Sequence, residues 1–144
     1  MEKTLIGKPV VAGSAEGTSI VSKQPISFWD GVNRRTGEIT DRRHERSGVI
    51  VTGKVFVFPQ GKGSSTASAT LMESIRAGTA PVAIINLKVD PILALGAIVA
   101  DELYHKTVPI VVLSREDFDA IQEGDHLVVE PNGTIKAETR KTVQ

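Results

Sequence analysis

The chain has 144 residues, 17 Lys+Arg against 17 Asp+Glu, 40% hydrophobic residues and no cysteine. The length suits a single domain, 1–144, with a sizeable core, and balanced charge without a like-charge block argues against nucleic acid or an anionic membrane as partner. Lack of cysteine excludes disulfides and any cysteine-ligated iron–sulfur cluster held by this chain alone, while the absence of both a run of about 18 apolar residues and a signal pattern at Met1-Glu2-Lys3-Thr4 predicts a cytoplasmic protein.

From Thr4 to Ser22 short apolar runs alternate with turn residues: Leu5-Ile6, Val10-Val11, then Gly13 to Gly17, then Ser19-Ile20-Val21. This pattern predicts two or three short strands. Pro25 to Gly48 has no sustained period and reads as a long irregular segment, a kind more often functional than filler. Within it Trp29 is expected to pack in the core, as large aromatics mostly do, with a partner-facing role as the alternative. Arg43 and His44 fit a solvated turn or a surface facing substrate or partner equally well.

Val55 to Phe58 is a buried-strand pattern that runs into Gly61-Lys62-Gly63-Ser64-Ser65-Thr66, and Leu71, Met72 and Ile75 then take helical spacing. A glycine-rich strand–helix junction aims backbone N–H groups and the positive end of a helix dipole at one spot, which favours an anion or a developing negative charge. Two phosphate loops do not fit. Lys62 is followed by Gly63 rather than Ser/Thr, with Phe56 where a Walker loop has Gly, and Thr66 stands where a dinucleotide fingerprint needs its third Gly. On local pattern alone a hydroxyl-rich helix cap remains open.

Val82 to Ile85 is the next strand, and Asp90-Pro91 gives an N-cap with proline at the first helical position. The helix from Pro91 to about Tyr104 is apolar on more than one face, so it is predicted to be buried against its sheet and, as a second option, against a partner. Val108 to Leu113 forms a strand, and Ser114-Arg115-Glu116-Asp117 opens a short helix with Phe118 and Ile121 inward. Leu127 to Ala137 reads as a hairpin with an Asn132-Gly133 turn, followed by a polar tail, 138–144, expected to fray. His44, His105 and His126 are far apart, so no metal site is predicted here.

The stretch Gly61 to Ser68, with Gly78-Thr79-Ala80-Pro81, Asp90 to Ala97 and Tyr104 followed by Val108 to Val111, resembles the small, swivelling subunit of aconitase X enzymes; the likeness runs from about Gly7 to Val112. Pro25 to Val32 and Thr36 to Ile39 resemble the entry segment of that family, with Asp30 where Gly is common. The resemblance implies a mixed α/β fold, the swivelling β/β/α domain of the aconitase superfamily, which agrees with the predicted order of elements. It also implies that Ser64 is the catalytic proton acceptor and that Gly61, Lys62, Gly63, Ser65 and Thr66 form the substrate- or anion-binding loop.

It further implies a heterodimer with a large catalytic subunit that carries the iron–sulfur cluster, and a small substrate bearing a carboxylate. Such a hydro-lyase needs a base for a proton beside the carboxylate and a Lewis acid for the leaving oxygen. A serine hydroxyl is a poor base and needs its alkoxide stabilised by N–H groups, a helix N-terminus or cations such as Lys62. The loop form, Asp90 to Leu93 and Glu102-Leu103-Tyr104 resemble the cis-3-hydroxy-L-proline dehydratase branch, with mevalonate 5-phosphate dehydratases as the alternative. Isopropylmalate- or aconitase-type small subunits carry Arg where Thr66 stands, which argues against a tricarboxylate substrate. A non-catalytic anion-binding or scaffolding module is the alternative of another class.

Overall fold

The computed structural model describes residues 2–62 and 66–139. Its elements in chain order are β1 (Glu2–Ile6), β2 (Lys8–Val11), β3 (Ala15–Val21), β4 (Val55–Val57), α1 (Thr66–Ala77), β5 (Ala83–Asn86), α2 (Pro91–Tyr104), β6 (Ile110–Val112), α3 (Arg115–Ala120), β7 (His126–Val129) and β8 (Thr134–Glu138). They form a mixed α/β architecture around an eight-stranded sheet of order β1-β8-β7-β3-β4-β5-β6-β2.

The two ends of that sheet are β1 and β2, yet only Gly7 separates them in the chain. The sheet must therefore curl until its edges nearly meet. Gly7 donates its N–H to Gly133 O at 3.0 Å, and a Cβ on Gly133, whose φ is +91°, would lie 2.4 Å from Gly7 O, so this corner tolerates no side chain at Gly133. β3 joins the two halves of the sheet, pairing antiparallel with β7 along Ala15 to Thr18 and parallel with β4 along Ser19 to Val21. Strands β3, β4, β5 and β6 run parallel, joined by the long segment 22–54, then by α1 and by α2.

Side chains alternate across these strands and divide the interior in two. Val55, Val57, Ala83, Ile85 and Val111 point into the curled sheet, where they meet Leu5, Leu127, Ile135 and, from the α3 region, Phe118 and Ile121. Phe56, Phe58, Ile84 and Ile110 point outward and are covered by α1, α2 and the apolar residues Ile26, Phe28, Val32, Ile39 and Val51 of the long segment. Phe28 docks onto Phe56 and Phe58 with ring centroids 6.4 and 6.1 Å away. Although it has turns and isolated bridges instead of a regular element, segment 22–54 thus forms part of the outer core.

Two sequence expectations need correction. The hairpin forms, but its turn is Glu130 to Gly133, closed by Gly133 N–H to Glu130 O at 3.0 Å. Only Gly133, not Asn132, has positive φ, so this is not the two-residue Asn-Gly turn, which needs positive φ at both positions. Glu138 belongs to β8 and pairs with Glu2 and His126, so it is held in the sheet and does not fray; residues 140–144 lie outside the described ones. No helix among the described residues is long and apolar enough to cross a membrane.

Candidate active site

Ligands of parallel sheets sit outside the carboxyl ends of the strands, where backbone groups and helix N-termini converge. At that end of β4 the chain runs through Phe58, Pro59 and Gln60 into Gly61 and Lys62, and it resumes at Thr66, the first residue of α1. Gly63, Ser64 and Ser65 lie outside the described residues.

The approach to this loop is held from both sides. Phe58 N–H donates to Ile85 O (3.0 Å) and Leu87 N–H to Pro59 O (2.9 Å), while the Asn86 amide donates to Phe58 O (2.9 Å). On the other side Ile26 N–H donates to Gln60 O (3.3 Å) and Lys62 N–H returns to Ile26 O (3.1 Å). Gly61 N–H donates to Asp90 Oδ2 at 2.9 Å. The first turn of α1 contains no acidic residue, so none of its own side chains offsets the positive end of that helix dipole.

Two clefts open beside the loop. One of about 220 Å³ lies among Phe28, Gly61, Lys62, Asp90 and Leu93. The other, about 610 Å³, is lined by Asp30, Asp41, Arg42, Arg43 and Lys62. Lys62 borders both and comes no closer than 4.0 Å to Asp41 Oδ2, with its side chain 58% exposed. Arg43 is exposed and uses its backbone N–H to reach Asp41 Oδ1 at 3.0 Å.

The structure thus places Gly61 and Lys62 at one end of the loop and Thr66 at the other, with Arg43 and Lys62 lining one cleft. His44 is different. It is only 6% exposed, and its Nδ1 accepts the Arg46 N–H at 3.0 Å, which leaves Nε2 to carry the ring proton toward Ser22 Oγ (3.2 Å) and Gln24 O (3.4 Å). Its side chain is a buried brace for segment 22–54, which corrects the solvated-turn reading, and it borders the larger cleft beside Arg43. Trp29 departs from expectation in the opposite sense: it is 53% exposed, while its neighbour Phe28 takes the core position. It borders a third cleft with Arg34, Arg35 and Thr70.

Glu45 beside the brace accepts the Lys23 N–H at 2.5 Å and the Ser22 hydroxyl at 3.1 Å. The Lys23 N–H, ahead of the Ser22 hydroxyl and the Arg46 charge, holds the Glu45 carboxyl below its ordinary range. Ser22, His44 and Glu45 resemble a nucleophilic triad in composition, but Ser22 has no exposed surface and so cannot meet a substrate. Sequence reasoning missed Arg42, which shares the cleft with Arg43, and the reach of Asp90 beyond its own helix; the pair Arg42-Arg43 was the signal for the first, and Asp90-Pro91 was explained fully by capping.

No three His, Asp or Glu side chains converge to hold a metal among the described residues, and the chain has no cysteine. Its own residues therefore do not fit an iron–sulfur cluster.

Comparison with known proteins gives a consistent group. The family model described as the aconitase X swivel domain matches residues 4–137. The phosphomevalonate dehydratase small subunit of Methanosarcina acetivorans is 39% identical over 131 residues, 90% of this chain and 85% of that one. The cis-3-hydroxy-L-proline dehydratase of Pseudomonas aeruginosa is 44% identical over 117 residues, 81% of this chain; the match spans only 20% of that relative's length. Among solved structures, Thermococcus kodakaraensis aconitase X in its holo form matches with a TM-score of 0.85 at 34% identity, over 95% of this chain and 99% of that one.

Proposed function

Because this chain belongs to the aconitase X swivel-domain family, we propose that it is the small subunit of a two-chain hydro-lyase in which Ser64 accepts a proton from the carbon beside the substrate carboxylate. The C–H electron pair forms the new double bond as the C–O pair leaves with the departing oxygen. The observation that carries this reading is the position of the loop's two described ends, Lys62 and Thr66: at the carboxyl end of β4, beside a helix N-terminus free of first-turn acids and a cleft with three cations. Ser64 is two residues before Thr66. N–H groups of the α1 N-terminus and the Lys62 ammonium are the cationic surroundings that an alkoxide needs, and Gly61, Gly63, Ser65 and Thr66 complete the anion-binding loop.

The Lewis acid for the leaving oxygen belongs to the partner in this proposal: an iron–sulfur cluster on a large subunit, since the donor set here does not suit one. No step of this chain's chemistry is routed through it. A large partner is also supported by apolar surface along α2 and at Val89 and Trp29. Leu95, Ile98 and Leu103 of α2 are 54%, 52% and 59% exposed, and Val89 and Trp29 are similarly open. The outer face of α2 is thus not accounted for by the core, and it suits burial under a second chain.

The preferred substrate is cis-3-hydroxy-L-proline, dehydrated to the enamine 2-pyrroline-2-carboxylate, which tautomerises to 1-pyrroline-2-carboxylate as its N–H proton moves to C3. Asp30 and Asp41 share the larger cleft with Arg42, Arg43 and Lys62, and a lining of both signs suits an amino acid carrying an ammonium beside a carboxylate. Mevalonate 5-phosphate is the second reading, favoured by the small-subunit relative from Methanosarcina acetivorans that matches over most of its length. The test is a dehydratase assay of the reconstituted two-chain complex on both compounds. Turnover of hydroxyproline with none of mevalonate 5-phosphate is expected; the reverse replaces the substrate, and turnover of neither returns the chain to the class of anion-binding modules.

A further inference from the structure

The proposed active-site loop is anchored at both ends by one turn of helix. Asp90 is the N-cap of α2: Oδ1 accepts from Ile92 N–H (3.0 Å) and Leu93 N–H (3.2 Å). Its other oxygen, Oδ2, accepts the Gly61 N–H at 2.9 Å, where the chain enters the loop. At the exit, Ser68 in the first turn of α1 donates its hydroxyl to Ile92 O. A single turn, Asp90 to Leu93, therefore touches the chain just before and just after the stretch that contains Ser64.

Two glycines make room for these grips. A Cβ on Gly61 would lie 2.4 Å from Asp90 Oδ2 and 3.1 Å from Leu93 Cδ1, and one on Gly96 would lie 2.6 Å from Ser68 O. A helix cap needs only one acceptor oxygen. The second oxygen of Asp90 does something the cap does not require.

We propose that Asp90 is a positioning residue for Ser64, fixing the entry of the catalytic loop through Gly61 while α2 fixes its exit through Ser68. This rests on the reading of Ser64 as the proton acceptor. A displacement of about 1 Å at a reacting group costs on the order of a hundredfold in rate, so the second oxygen of Asp90 matters for kcat far more than for folding.

Asp90→Asn separates the two roles, because asparagine caps a helix as well as aspartate does but has one acceptor oxygen for two tasks. Gly61→Ala attacks the same contact from the other side. In the reconstituted complex both variants are expected to lower kcat roughly ten- to a hundredfold with KM within about twofold. In the full-length small subunit alone, Asp90→Asn is expected to speed hydrogen exchange at the Gly61 amide while the β7–β8 amides stay protected. Ser114→Ala, which removes the α3 cap to Asp117 N–H, is the structural control and leaves kcat unchanged. Wild-type kcat in Asp90→Asn and Gly61→Ala, beside an inactive Ser64→Ala, overturns the positioning role and leaves the base assignment standing; unchanged Gly61 exchange in Asp90→Asn also overturns it. Full turnover by Ser64→Ala instead overturns the base assignment on which the proposal rests.

Discussion

The inward face of the curled sheet and its outward face are packed by different rules. Inside, Leu5, Val55, Val57, Ile85, Leu127, Val129 and Ile135 meet one another in one apolar cluster, and the buried polar residues beside it, Ser19 and Asp125, are hydrogen-bonded to Gln122. Outside, under α1, α2 and segment 22–54, the buried set includes Ser22, His44, Ser68, Thr70, Ser74 and Asn86. Among the described residues, Ser74 Oγ, Asn86 Oδ1 and Arg46 Nε are buried without a hydrogen-bond partner, and the first two belong to the outward side. The difference shows where stability and function reside. The apolar interior supplies burial free energy, whereas the outer side uses polar side chains to fix backbone that has no ladder of its own, at a cost wherever one atom goes unpaired.

The largest effect that tests this contrast is expected inside. Leu127 is fully buried, so Leu127→Ala should cost about 2–5 kcal/mol, read as a lower denaturation midpoint, with kcat of the folded complex unchanged. A loss of kcat at full stability would blur the two faces. His44→Ala should cost less, roughly 1–3 kcal/mol, because it leaves the Arg46 N–H without its acceptor. It should also raise KM more than it lowers kcat, since His44 holds the segment that carries Arg42 and Arg43.

The Glu45 brace gives a smaller, pH-dependent effect. Its folded pKa is lowered from 4.5, so its contribution is fully present above 4.5 and is lost as pH falls through the folded value. Glu45→Gln should therefore melt lower than wild type near neutrality, and the gap should close well below pH 4.5. A gap that persists in acid would mean that the carboxylate charge is not what holds Lys23. The smallest effect, with the opposite sign, is expected for Ser74→Ala: removing a buried hydroxyl without a partner should leave stability unchanged or raise it by up to about 1 kcal/mol. Marked destabilisation would show that the outer side does not carry that cost.

Legibility in the sequence followed the same division. Strands and helices with a period were readable, down to Asp90 and Ser114 as caps and Phe118 and Ile121 as inward residues, because period 2 or 3.6 states which side is buried. Segment 22–54 has no period, so nothing in the letters could say that Phe28 turns in and Trp29 out, or that His44 is buried beside an exposed Arg43. At the candidate site the Gly-rich stretch itself was legible through its motif. The Asp90 to Gly61 contact joins residues 29 apart, and a cap accounted for Asp90 completely, so no signal was left over to suggest a second task.

The central claim is that Ser64 takes the proton, and kcat and KM for Ser64→Ala and Ser65→Ala in the assembled two-chain complex test it most directly. Ser64→Ala should assemble normally and lose roughly 10²–10⁴-fold in kcat, while Ser65→Ala should lose far less if that residue is not the proton acceptor. A Ser64→Ala complex that keeps most of its kcat, or a Ser65→Ala complex that proves the inactive one, would contradict the account.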